Sequence, residues 1–168
     1  MFLPEDIIRE KRHRLPPERY RGQVIVAFTI CADSSATNLI KSEHYSVAVA
    51  ALEEAFAHHQ GHACVFVFMP DHLHLIVSGG GPGSDLLKLV AEFKQKTCFR
   101  VRKAGGTFAW QKDFYDRIIR DHEEYVHQVR YNLRNPVRAG LVQHWEHWPH
   151  RGVLGQTWQD LALNIAGL

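Results

Sequence analysis

The sequence is short of cysteine and of long apolar runs, and each shortage removes a class of protein. Its three cysteines, Cys31, Cys64 and Cys98, stand far apart with no CxxC pair. Neither a disulfide framework nor a zinc knuckle is indicated, and they read as small apolar residues of a core. No apolar run approaches the ~20 residues that a membrane-spanning helix needs. The N-terminus carries Glu5, Asp6 and a basic run from Arg9 to Arg14 and lacks the apolar segment and small-residue cleavage site of a secretory leader. The expectation is a cytoplasmic protein with no membrane partner.

Net charge is scarce too. The 20 Lys+Arg residues face 18 Asp+Glu, leaving +2, which alone suggests neither a nucleic-acid binder nor an enzyme of acidic substrates. That balance averages two unlike parts, because the stretch from Lys94 to Arg138 holds 11 basic and 5 acidic residues, a net of +6. The remainder is acidic. With 45% hydrophobic residues over 168 positions, one domain is expected, made of a basic arm (1–21), a core (22–142) and a C-terminal tail (143–168).

What is present reads as alternating elements. Gly22–Cys31, rich in β-branched and aromatic residues after the Pro16-Pro17 break, predicts a strand. Ser42–His59 repeats apolar residues every three to four positions and predicts an amphipathic helix. Ala63–Met69 and His72–Val77, separated by Pro70-Asp71, predict two antiparallel strands. Gly79–Gly83 matches no phosphate-loop pattern and reads as a flexible link. Ser84 is placed to cap a helix reaching about Arg102, with Leu86, Leu89, Val90 and Phe93 on one face. A fourth strand is expected within Thr107–Ile119. Asp121 and Glu124 form a D-x-x-E cap for a last helix from His122 to about Arg134, stopped by Asn135-Pro136, and the tail after Trp145 has no assignment. This order predicts an α+β fold, a ferredoxin-like β-α-β-β-α-β antiparallel sheet with an added C-terminal helix.

Three features carry chemistry. In His72-Leu73-His74, strand alternation puts both imidazoles on one face, where they can ligate a divalent metal or simply stand at the surface. His127, Tyr131 and Asn135 recur at helical spacing on the last helix. A phenol there is a weak nucleophile unless a metal or base activates it, and the plainer alternative is a packed ring with its hydroxyl at the surface. Pro136 biases Asn135 away from helical geometry and so from that face. Finally, Lys96, Arg100 and Lys103 share one side of the middle helix with Lys94 and Arg102 nearby, and no acidic residue lies among them to compensate. The ridge suits a phosphate backbone or is a solvated face, while Arg130, Arg134 and Arg138 extend positive charge beside Tyr131.

Together, MPDHLHLIV (Met69 to Val77), WQKDFYDRII (Trp110 to Ile119) and YNLRNPVRAGLV (Tyr131 to Val142) resemble the single-tyrosine transposases of the HUH superfamily, and among these the REP-associated tyrosine transposases. VAFTICA (Val26 to Ala32) and WEHWP (Trp145 to Pro149) fit as well, so the resemblance spans about Arg9 to Arg151. It implies that His72 and His74 are metal ligands, that Tyr131 is the catalytic nucleophile, and that Asn135 stands where a polar amide can complete the metal site. It implies Mg²⁺ or Mn²⁺ as cofactor and single-stranded or hairpin DNA as partner. Cleavage and rejoining would pass through a 5′-phosphotyrosine, with Lys94, Lys96, Arg100, Arg102, Lys103, Arg130, Arg134 and Arg138 gripping phosphates. Relatives include dimers, which leaves a homodimer open and with it whether Tyr131 acts in cis or in trans. Tyr115 and Tyr125 are competing nucleophiles, although neither is followed by NPVRAGLV. Two other readings remain: a hairpin-binding module without activity, and a histidine-motif nucleotide hydrolase, in which Ile76 stands where a third histidine would be.

Overall fold

The near-continuous apolar runs of three segments, IVAFTIC, ACVFVF and LHLIV, call for a sheet covered on both faces. The computed structural model describes residues 15–33 and 38–165. The basic run Arg9–Arg14 lies outside them.

A 3-10 turn (Pro17–Tyr20) leads into β1 (Ile25–Cys31), followed by α1 (Ser42–His58), β2 (Gly61–Phe68), β3 (His72–Gly79), α2 (Leu86–Lys103), β4 (Tyr115–Ile119), α3 (His122–Arg138), a second 3-10 turn (Trp145–His147), β5 (Arg151–Leu154) and α4 (Trp158–Asn164). The sheet runs β4-β1-β3-β2-β5, with every neighbouring pair antiparallel. The first four strands make the expected ferredoxin-like arrangement, because each crossover helix carries the chain past one strand position that another strand fills.

Strand alternation sorts β3 between two layers. Leu73, Leu75 and Val77 pack with Leu52, Leu89 and Phe93 of α1 and α2, whereas Ile76 joins Val129 and Leu133 of α3 in a second cluster. His72 and His74 share the face of Ile76 and so belong to the α3 layer.

Four local expectations change in the folded chain. Asp85, not Ser84, caps α2, its carboxylate accepting the Lys88 amide. Ser84 is buried and its hydroxyl accepts the Gly80 and Gly81 amides while donating to the Gln60 carbonyl, so the glycine-rich link is tied down rather than flexible. The last helix does not stop before Pro136 but continues to Arg138. Proline inside a helix costs about 3 kcal/mol, and here Pro136 is buried on the same face as Val129 and Leu133, so packing outweighs the local preference. Gly140, at φ +70°, then ends the helix, with the Leu141 amide on the Pro136 carbonyl and the Gly140 amide on the Val137 carbonyl.

The fourth change is the tail, which had no sequence assignment. Part of it adds β5 to the free edge of β2, where a Cβ on Gly152 would stand 2.2 Å from the Phe66 ring. Trp148 is buried and its indole donates to the Phe68 carbonyl at 2.9 Å, while Leu161 and Ile165 close the α3-side cluster. Of the cysteines, Cys64 is buried and Cys31 and Cys98 are half-buried, all three as free thiols. Among the described residues no helix is long and apolar enough to cross a membrane.

Candidate active site

His74 is only 7% exposed, which removes the reading of two histidines standing at an open surface. Its cross-strand partner is Thr29, and partners in an antiparallel pair project from the same face. The Thr29 hydroxyl accordingly lies 3.2 Å from His74 Nδ1. Asp71, in the two-residue turn before β3, accepts from His72 Nδ1 at 2.7 Å. The other two ring nitrogens, His72 Nε2 and His74 Nε2, face each other at 3.0 Å.

A carboxylate can only accept, so His72 donates from Nδ1 to Asp71, and Nε2 is the nitrogen it presents to His74. Burial pushes the His74 pKa down to about 3, His72 and Arg138 push the same way and Asp71 opposes them, so His74 is neutral near pH 7. In the tautomer with its proton on Nε2, His74 donates to His72 and its Nδ1 accepts from Thr29. Because a hydroxyl can donate or accept, Thr29 also serves the other tautomer, in which both Nε2 atoms offer lone pairs to one cation. Two convergent imidazole nitrogens, each backed by a hydrogen bond on its far side, are a fitting pair of metal ligands.

α3 crosses above this pair. The Tyr131 and His74 ring centroids are 6.3 Å apart with the planes at 85°, and the Arg138 guanidinium lies over the Tyr131 ring at 4.4 Å. Asn135 stays on the helix, contrary to the bias expected from Pro136. Its Nδ2 donates to the Tyr131 carbonyl at 3.3 Å, which leaves Oδ1 as the atom it can offer a ligand. His127, one turn before Tyr131, is exposed. The fold thus brings His72, His74 and Tyr131 to one place, with Arg138 over the Tyr131 ring and Asn135 one turn along α3 from Tyr131.

The competing tyrosines are placed differently. Tyr115 pairs with Thr29 in β4 and so shares the histidine face, two strands away from His74, roughly 10 Å by strand spacing. Tyr125 is half-buried at the far end of α3, where it lines an open cavity of about 600 Å³ with Ile76, Ser78, Ile119, His122 and Gln156. Ile76, in the place of a third histidine, is 2% exposed and part of the apolar cluster.

The basic residues divide between the two layers. Lys96 and Arg100 are on α2, in the layer opposite the histidine pair, and their charges are compensated after all. Lys96 pairs with Glu54 at 2.9 Å and Glu92 at 2.7 Å, and Arg100 with Glu54 at 2.7 Å. The compensation comes mainly from α1, where a search along α2 does not look. Lys94 donates to the Gln111 and Lys112 carbonyls and holds the loop before β4. Arg102 and Lys103 are exposed where α2 ends, at the end of the sheet where β3 begins. On α3, Arg134 and Arg138 are exposed, and Arg130 donates to the Ile165 carbonyl at 3.0 Å. Thr29 and Asp71 are the partners that sequence reading did not identify as part of the site. Asp71 had a signal in its position next to His72, whereas Thr29 had none.

No family model matches the chain. A REP-associated tyrosine transposase of Escherichia coli is 30% identical over 92 residues, covering 52% of this chain and 54% of the relative. The chain thus matches about half the length of that relative. A putative REP-associated tyrosine transposase of Haemophilus influenzae is 23% identical over 125 residues, 66% of this chain and 71% of the relative. Among solved structures, a REP-associated tyrosine transposase bound to a REP hairpin superposes with a TM-score of 0.71 at 23% identity, covering 86% of this chain and 82% of that one. The chain is similar to REP-associated tyrosine transposases in sequence, and it shares the fold of the solved one.

Proposed function

We propose that this chain is a single-tyrosine HUH transposase that cleaves and rejoins single-stranded DNA next to a hairpin, with Tyr131 as nucleophile acting beside its own His72 and His74. The observation that carries this reading is the convergence on one face of a phenol, two imidazoles and a guanidinium, with the Tyr131 and His74 rings 6.3 Å apart. Hairpin DNA as partner is taken from the solved relative, which is bound to one.

In this reading Tyr131 Oη attacks the scissile phosphorus in line. The new bond is P–Oη, the bond that breaks is P–O3′, and the tyrosine proton ends on the departing 3′-oxygen. The 5′-phosphate stays on Tyr131. Because the phosphodiester energy is kept in that link, another 3′-hydroxyl can reverse the step without ATP. His72 Nε2, His74 Nε2 and Asn135 Oδ1 would hold a divalent ion, Mg²⁺ or Mn²⁺, which when bound would supply Lewis-acid polarisation of the phosphate. Asp71 and Thr29 hold the two rings in register for that task. Arg138 places positive charge where the phosphate meets the phenol, and Arg134, Arg102 and Lys103 contact the backbone that leads there.

The test is incubation with Mg²⁺ or Mn²⁺ and labelled single-stranded hairpin DNA drawn from the sequence flanking the gene, read on a denaturing gel. A protein-sized shift that is absent in Tyr131→Phe and in His72→Ala is expected. An adduct that survives Tyr131→Phe but disappears in Tyr115→Phe would overturn the assignment, and tight binding with no adduct would favour a silent hairpin-binding module.

A further inference from the structure

On the layer opposite the β3 histidines, α1 ends at His58, and the next residue, His59, turns back toward it. Consecutive residues on a helix point about 100° apart and rarely address one point. His59 has left the helix, at φ −97° and ψ 22°, and its ring lies beside that of His58, centroids 4.9 Å apart. Both rings therefore reach the same carboxylate oxygen of α2. His58 Nδ1 is 2.8 Å and His59 Nε2 2.9 Å from Glu92 Oε2, and one ligand atom from each residue lies within 4.8 Å of the others.

We propose that His58, His59 and Glu92 form a second metal site, separate from the β3 pair, that takes zinc or a similar imidazole-seeking divalent ion and clips α1 to α2. Two imidazole nitrogens and one carboxylate oxygen are a zinc donor set with an open fourth position for water. Tetrahedral bonds of ~2.0 Å place donors about 3.3 Å apart, so each imidazole nitrogen need draw back from Glu92 Oε2 by only about half an ångström. The other carboxylate oxygen is already engaged, since Lys96 Nζ lies 2.7 Å from Glu92 Oε1 and is itself held by Glu54 at 2.9 Å. This lysine orients the ligand from outside, as partners of metal-bound carboxylates do. It is also the main reason the Glu92 carboxyl is held down at about pKa 2, with hydrogen bonds from both histidines contributing and burial opposing, so the ligand is ionised. The site stands at the C-terminus of α1, where the helix carbonyls favour a cation. A shallow depression lined by Lys88, Gln95 and the cluster itself opens it to solvent.

The experiment uses the full chain carrying His72→Ala and His74→Ala, so that the β3 pair cannot bind the probe, stripped with EDTA and titrated with Zn²⁺ against a chromophoric chelator. One equivalent of zinc is expected to bind and to raise the thermal midpoint. Adding His59→Ala or, separately, Glu92→Gln should weaken this binding at least about tenfold, with circular dichroism confirming that each variant is folded. The proposal is overturned if the parent takes up no zinc, or if folded His59→Ala and Glu92→Gln bind as the parent does. The DNA-cleavage reading is untouched by either result, because the β3 histidines are absent throughout.

Discussion

Arg138 lies over the ring of Tyr131, with its guanidinium carbon 4.4 Å from the ring centroid, two helical turns further along α3. The helix reaches Arg138 only because it continues through Pro136. The pair therefore exists by virtue of the same packing that overrides the local stop signal.

A cation on an aromatic face is worth about 0.5–2 kcal/mol, and under the proposed mechanism it would also face the entering phosphate. Arg138→Ala is expected to slow formation of the Tyr131 adduct by roughly threefold to thirtyfold, and Arg138→Lys to recover part of the loss. Single-turnover cleavage at saturating DNA measures this. An unchanged rate in both variants would show that the stacked guanidinium takes no part.

Asp71 and Thr29 hold the far nitrogens of the His pair at 2.7 and 3.2 Å. Removing such a partner lowers metal affinity by about 10- to 100-fold. Asp71→Asn and Thr29→Val should therefore raise the Mn²⁺ concentration needed for half-maximal cleavage by that factor, while saturating metal restores most of the rate. A His74→Ala control should not be rescued at any metal concentration.

The two layers should contribute unequally to DNA binding. Lys96 and Arg100 are engaged with Glu54, so Lys96→Ala and Arg100→Ala are expected to leave hairpin affinity within about twofold. Arg134 is exposed on the Tyr131 helix, and Arg134→Ala should weaken binding and reduce the slope of log K against log salt by about one. Fluorescence anisotropy at several salt concentrations separates the cases. Equal losses from α2 and α3 variants would mean that the DNA wraps both layers.

Trp148 tests whether the tail is part of the folded core. Its ring is 6% exposed and its Nε1 donates to the Phe68 carbonyl. Trp148→Ala should cost about 3–5 kcal/mol in urea unfolding. Gly152→Ala should also destabilise, since the new Cβ would meet the Phe66 ring at 2.2 Å. If both were neutral, β5 and the segment before it would be an appendage rather than a structural edge.

Local periodicity by itself determined the strand–helix order, the hairpin at Pro70-Asp71 and the two faces of β3. Hence it also determined that His72 and His74 stand side by side and that Tyr131 lies on the last helix. These depend on residues a few positions apart, whose relation the backbone repeat sets. Only the tertiary structure decided that α3 runs through Pro136, because the burial of that ring against the sheet is what offsets the missing amide. It alone paired Thr29 with His74 across 45 residues and matched Lys96 and Arg100 on α2 with Glu54 on α1. It likewise carried the unassigned tail onto the edge of β2. Each of these partners is chosen by strand register or helix packing between distant segments, and no spacing within one segment records that choice.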